Sequence, residues 1–155
     1  MSFVVTSPAA APADDPIENG DFWPEIDPAK IREAQRIDTT VTDPRLRDAL
    51  IEAIASVNGE LVTWRAAQVA AGYDSLADVP AEEIAGASIK THRYLRAVGC
   101  TAKASLIERY RDYDTTARGD RKADVMENPI DDLRRDARWA ISDIQGIGRT
   151  TIELI

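Results

Sequence analysis

Few residues of this chain combine the type and spacing that catalysis demands. His92 is the sole histidine and Cys100 the sole cysteine, so neither a histidine-based metal cluster nor a paired-histidine metalloprotease helix can be built. Cys100 falls mid-helix near an apolar side and reads as a small core residue rather than a reactive thiol. His92, on a helix flank, reads as structural. Glu82-Glu83 and Asp131-Asp132 are adjacent acids, but neighbours in a helix point in different directions, so neither pair is an acid–base couple. Gly146-Ile147-Gly148 lacks the third glycine and the preceding strand of a dinucleotide site. No spacing calls for a carboxylate-only metal site. The expectation is a protein that is not an enzyme and uses no cofactor or metal.

The remaining candidate chemistry is charge. The net charge of −8 is concentrated in the first 27 residues, which carry six acids and no Lys or Arg. The body is therefore nearly neutral, and whole-chain acidity says little about its partners. Within the body, residues 88–113 hold six bases against two acids, while residues 72–87 hold four acids and no base. Lys90, Arg93, Arg96, Lys103 and Arg111 lie off the apolar stripe of that basic segment. They are candidates for contact with an acidic neighbouring surface. Phosphate contact by this side, or by Arg134, Arg135 and Arg138, is the competing use. Acids interleave with those arginines, and no compact recognition helix stands out.

These cations need a helix to carry them, and the sequence supplies one over Ser88–Tyr113. Leu95, Val98, Ala102, Leu106, Tyr110 and Tyr113 recur at steps of three and four. Ser88 suits the N-cap, and the small Gly99, Ala102 and Ser105 allow a partner to approach closely. Asp27-Pro28 predicts a short helix to about Arg36. Asp43-Pro44 repeats the signal, and Leu46, Leu50, Ile54, Val57, Leu61 and Trp64 predict one helix to about Ala71, ended by Gly72. Its other faces, rich in Glu and Arg, read as solvated surface. Residues 72–87 read as a connection with one helical turn near Ala81–Ile84, and Asp114–Asp124 as a polar loop and an exposed turn or two. Asn128-Pro129 predicts the start of a last helix, with Ile130, Leu133, Ala137, Ile141 and Ile144 inward and Asp131 and Asp132 in its first turn. Gly146 and Gly148 end it.

The ends differ from this helical body. Residues 1–21 are rich in Pro, Ala and acid, with Phe3-Val4-Val5 as their apolar patch, and predict a flexible acidic arm. Phe22 and Trp23 form an apolar cluster that either caps the core or inserts into a neighbouring subunit. Thr150–Ile155 alternates, with Ile152 and Leu154 on one face. A lone strand leaves backbone groups unpaired, so Thr151, Ile152, Glu153, Leu154 and Ile155 are candidates for pairing with another chain. The expected fold is all-α: a bundle of three to four main helices over 22–149, with an arm at 1–21 and a strand-like tail at 150–155. No apolar run approaches the roughly 20 residues of a membrane span.

Several blocks, in order, resemble the phage head completion protein of the GpL type. They are Phe22-Trp23-Pro24-Glu25-Ile26-Asp27, Ala71-Gly72-Tyr73 with Leu76-Ala77-Asp78-Val79-Pro80-Ala81, and Ala104-Ser105-Leu106-Ile107-Glu108-Arg109-Tyr110-Arg111. Asp114, Thr116, Ala117 and Gly119-Asp120-Arg121-Lys122-Ala123-Asp124 follow, then Ile130-Asp131-Asp132-Leu133. The resemblance covers nearly everything after the leader. It implies a small helical adaptor, similar to the head–tail connectors of other tailed phages. Such adaptors bind the portal protein after DNA packaging, form a ring of identical subunits, typically twelve, and extend the channel for double-stranded DNA without reading its sequence. They then offer a docking surface to a neck or tail-terminator protein. The implied location is the capsid–tail neck of the virion, assembled in the host cytoplasm. On this reading Phe22, Trp23, Lys90, Arg93, Arg96, Lys103 and the tail contact portal or neighbour, and Arg118, Asp120, Arg121 and Lys122 project toward the channel or the next ring. The rival reading is a small terminase subunit, also helical and ring-forming, but DNA-binding.

Overall fold

A buried tyrosine sits where three parts of the chain meet. The computed structural model describes residues 15–113 and 119–148, and for 110–113 and 119–128 their backbone alone. Five helices carry the fold: α1 (Pro28–Ala34), α2 (Asp43–Glu60), α3 (Val62–Ala70), α4 (Ile89–Tyr113) and α5 (Gly119–Gln145). The protein is all-α apart from a two-stranded hairpin, β1 (Glu83–Ile84) with β2 (Ala87–Ser88). The central element is α4, with α2 packed on one flank and α5 on the other.

The inward face of α2 follows its apolar spacing. Leu46, Leu50, Ile54, Val57 and Leu61 are buried, each contributing about 2 kcal/mol by the area it hides. The same spacing predicts a single helix to Ala71, but the chain breaks at Leu61, whose φ of −95° and ψ of 4° leave the helical range. Asn58-Gly59, two weak helix formers, precede the break. The bend drops Leu61 fully into the core.

The segment 15–27, most of which reads from sequence as arm, belongs to the body. Ile17 and Ile26 exchange backbone hydrogen bonds of 2.7 and 3.0 Å and close a loop, and Ile17 and Asn19 are both buried. Of the two places open to Phe22 and Trp23, both occupy the core. The Trp23 ring stacks on Tyr94 at 4.7 Å, and Phe22 meets Trp23 edge-on at 4.8 Å. Tyr94, absent from the expected α4 stripe, is fully buried. Its hydroxyl donates to Asn58 Oδ1 (2.6 Å) and accepts from Asn19 Nδ2 (2.7 Å), and Asn58 Nδ2 donates to Asn19 Oδ1 (2.9 Å). The three side chains form a closed ring of hydrogen bonds. Burial pushes the Tyr94 phenol up to about 12.

Helix ends account for other departures. Asp27 caps α1 as expected, accepting from Ala29 and Lys30. The N-cap of α2 is Thr42, and the Asp43 carboxylate accepts instead from Arg32, which also donates to the carbonyls of Asp38 and Val41 and so fastens the α1–α2 corner. Gly72 and Gly146 end α3 and α5 in the left-handed conformation, with the following amide returning to the carbonyl five residues back. Arg36 ends α1 in the same way at φ 52°, without glycine's freedom. In the connection, the helical turn falls at Leu76–Asp78, and Ala81–Ile84 leads into the hairpin, because Ala85 and Gly86 both take positive φ and reverse the chain. Finally, α5 begins at Gly119, with Pro129 inside it. Asp131 and Asp132 are therefore mid-helix, and residues 119–124 of the expected loop are helical.

Two outcomes follow. Tyr94→Phe leaves the buried Asn19 and the half-buried Asn58 each one hydrogen bond short and is expected to cost about 1–3 kcal/mol in urea unfolding. A phenol held above its ordinary value stabilises the fold below about pH 10 and ceases to do so as pH rises toward 12; stability should fall less steeply across that window in the variant than in the parent. Arg36→Gly, by relieving a left-handed residue, is expected to add about 1 kcal/mol and raise the melting temperature by about 3 °C.

Candidate interaction surface

The cations of α4 are turned first toward the subunit's own helices. Lys90 Nζ donates to the Ile144 carbonyl at 2.7 Å and lies 5.4 Å from the centre of the Trp64 ring. Arg93 donates to the Asp143 carbonyl (3.3 Å) and lies 3.7 Å from its carboxylate. Both meet the last turn of α5, which has no basic residue of its own. Lys103 Nζ donates at 2.6 Å to the carbonyl of Gln35, the C-cap of α1. Three α4 side chains thus satisfy carbonyls and offset negative dipole ends of two other helices. Burial, then the neighbouring Arg93, holds the Lys90 ammonium below its ordinary range.

Between these caps the α4–α5 seam is ionic. Arg96 pairs with Asp136 at 2.9 Å, and this bond raises the guanidinium's affinity for its proton. Arg134 pairs with Glu108, and Arg135 with Asp132 (2.7 Å) and Asp136 (3.6 Å). The arginines Arg134 and Arg135, candidates for phosphate contact, are thus matched by carboxylates. Arg93 and Arg96 keep 36% and 59% of their side chains exposed and still reach the surface.

Cys100 is buried, which pushes its thiol up, and packs beside Gln35. Gln35 also fills the space over Gly99, where a Cβ would lie 2.9 Å from its Nε2, so the close approach expected at the small residues is made by the end of α1. The His92 ring contacts the Ile84 carbonyl at 2.7 Å and ties the hairpin to α4. Asp120, Arg121 and Lys122 lie on the first turns of α5. Arg118 and the tail Thr151, Ile152, Glu153, Leu154 and Ile155 lie outside the described residues. Among the described residues, no group of three or more His, Cys, Asp or Glu is arranged to hold a metal, and no helix is long and apolar enough to cross a membrane.

Two exposed apolar features escape the charge-based reading. Trp139 is 39% exposed, with the Arg135 guanidinium 4.8 Å over its ring. The outer side of α3 carries exposed Val62 and Val69, and none of its side chains is buried. Expected as part of a Glu- and Arg-rich solvated face, α3 has Arg65 as its sole charge. That scarcity of charge was the available signal.

Compared with known proteins, residues 17–155 match the family model described as phage head completion protein (GPL). The chain is also 47% identical over 153 residues to the head completion/stabilization protein of Escherichia phage P2, covering 98% of this chain and 89% of that protein. No solved structure matches the chain. The matched region opens at Ile17, the first residue buried in the described body.

The capping arrangement has a measurable consequence. Lys90→Met and Lys103→Met are each expected to cost about 1 kcal/mol by urea unfolding. The two sites are thirteen residues apart on α4, about 20 Å, so in the double variant the costs should add.

Proposed function

The chain belongs to the phage head completion protein family, and from that membership we propose that it closes the packaged head as an adaptor on the portal vertex. The family's role is structural, as a component of the virion. On the proposed reading, subunits join the portal after DNA is packaged, in the host cytoplasm, and form a ring, typically of twelve copies. The ring extends the channel and presents a docking surface to a neck or tail-terminator protein. The observation that carries this is the near full-length match to a head completion/stabilization protein.

The geometry supports an adaptor in two ways. Two long helices, of 25 and 27 residues, or about 37 and 40 Å, run side by side and give a subunit elongated faces for lateral contact. Helix α4 places Arg93 and Arg96 partly in solvent, where a neighbour's acids can reach them. The tail residues Thr151 to Ile155 remain the candidates for pairing with portal or neighbour, and Arg118, Asp120, Arg121 and Lys122 for projection toward the channel or next ring. Phe22 and Trp23 serve this reading indirectly, by shaping the core. A DNA-binding packaging subunit would need unopposed basic surface, whereas Arg134 and Arg135 are neutralised within the subunit.

The test is to mix the full chain with purified portal protein and image the product. A ring of subunits on the portal, lost when residues 150–155 are removed while helical circular dichroism is retained, is the expected result. Failure to bind portal, together with retardation of packaging-site DNA at moderate salt, would overturn the proposal in favour of the terminase reading.

A further inference from the structure

Helix α3 is out of keeping with the rest of the body. It is nine residues long and none of its side chains is buried. Trp64 is half-buried against the core, while Val62, Ala66, Val69 and Ala70 are all exposed. Their spacing of four, three and one places them on one face. An isolated helix of this length is marginal in water, and an uncovered apolar face adds nothing to hold it.

The end of α5 lies at the near end of that face. Gln145 Nε2 donates to the Glu60 carbonyl at 3.5 Å, two residues before Val62. Lys90 links the end of α5 to α3 itself, reaching the Ile144 carbonyl and the Trp64 ring. Ile147, beyond this corner, is 55% exposed. The chain therefore leaves α5 beside α3, with the seven residues 149–155 still to come.

We infer that the outer face of α3 is the docking site for the chain's own C-terminal segment, with Ile152 and Leu154 laid along Val62, Ala66 and Val69. Reach permits it. Six extended residues from Gly148 to Leu154 span about 20 Å, and Val62 to Val69 is about 10 Å along the helix. Chemistry fits it as well, because the face of the tail that carries Ile152 and Leu154 is apolar, as are Val62, Ala66 and Val69. Tethering favours the same chain over a second copy, since a short linker holds the segment at an effective concentration of the order of mM. The inference concerns the free subunit and does not depend on binding to portal. If both hold, the segment that engages a partner must first leave α3.

Paired cysteines test this in the full chain. Val69→Cys with Leu154→Cys, two sites away from the buried Cys100, should form an intramolecular disulfide under mild oxidation. Its rate should be independent of protein concentration and at least tenfold above that of the control pair Glu33→Cys with Leu154→Cys. Disulfide-linked dimers that increase with concentration would assign the face to a second copy and overturn the inference, as would equal rates for the two pairs. Independently, amide exchange over residues 62–70 should be several-fold slower in the full chain than in one lacking residues 150–155. Equal exchange would also overturn it.

Discussion

A phenol with no exposure to water must find its hydrogen bonds within the protein, and this requirement ties the fold together. The Tyr94 hydroxyl comes from α4, Asn58 from α2 and Asn19 from the segment ahead of α1. Each side chain donates to one of the others and accepts from one, so losing any member costs each of the other two a hydrogen bond. Above the ring of bonds, Trp23 stacks on the tyrosine and Phe22 and Trp64 pack around it. A polar triangle under an aromatic lid fixes three elements at one point, where apolar packing alone would tolerate sliding.

The second organising device is the use of charge. The basic side of α4 looks, in isolation, like a surface reserved for a partner. In the fold it answers carbonyls at two helix ends that their own left-handed turns leave open: Gln35 at the end of α1, and Asp143 with Ile144 at the end of α5. What remains for a neighbour is a mixed, largely neutralised ionic seam with an exposed tryptophan on α5. Such a surface suits specific fit between proteins more than general attraction to a polyanion.

The long-range pattern was legible in the sequence. Leu46 to Leu61, and Ile130, Ala137, Ile141 and Ile144, occupy the core faces that their spacing implies, while Leu133 is half-buried, and Asp27, Ser88, Gly72 and Gly146 mark ends as their chemistry suggests. Other features escaped for identifiable reasons. Asn128-Pro129 imitates a helix start, but the chain is already helical from Gly119. Ala85 and Arg36 adopt left-handed turns that sequence rules reserve for Gly or Asn. Asn19 lies among acids and prolines that read as an arm, and its partner in Tyr94 is 75 residues away, beyond any local rule. Of the candidate contact residues, spacing placed the α4 cations on one helix but could not show which carbonyls would claim them.

That separation of 75 residues also orders events during biosynthesis. Asn19, Phe22 and Trp23 leave the ribosome early, yet the tyrosine that completes their site is made about ten seconds later at ordinary rates of translation. Until then the aromatic cluster and the Asn19 amide lack the partner that buries them in the fold. The N-terminal third therefore completes its tertiary structure only after the central helix has been made.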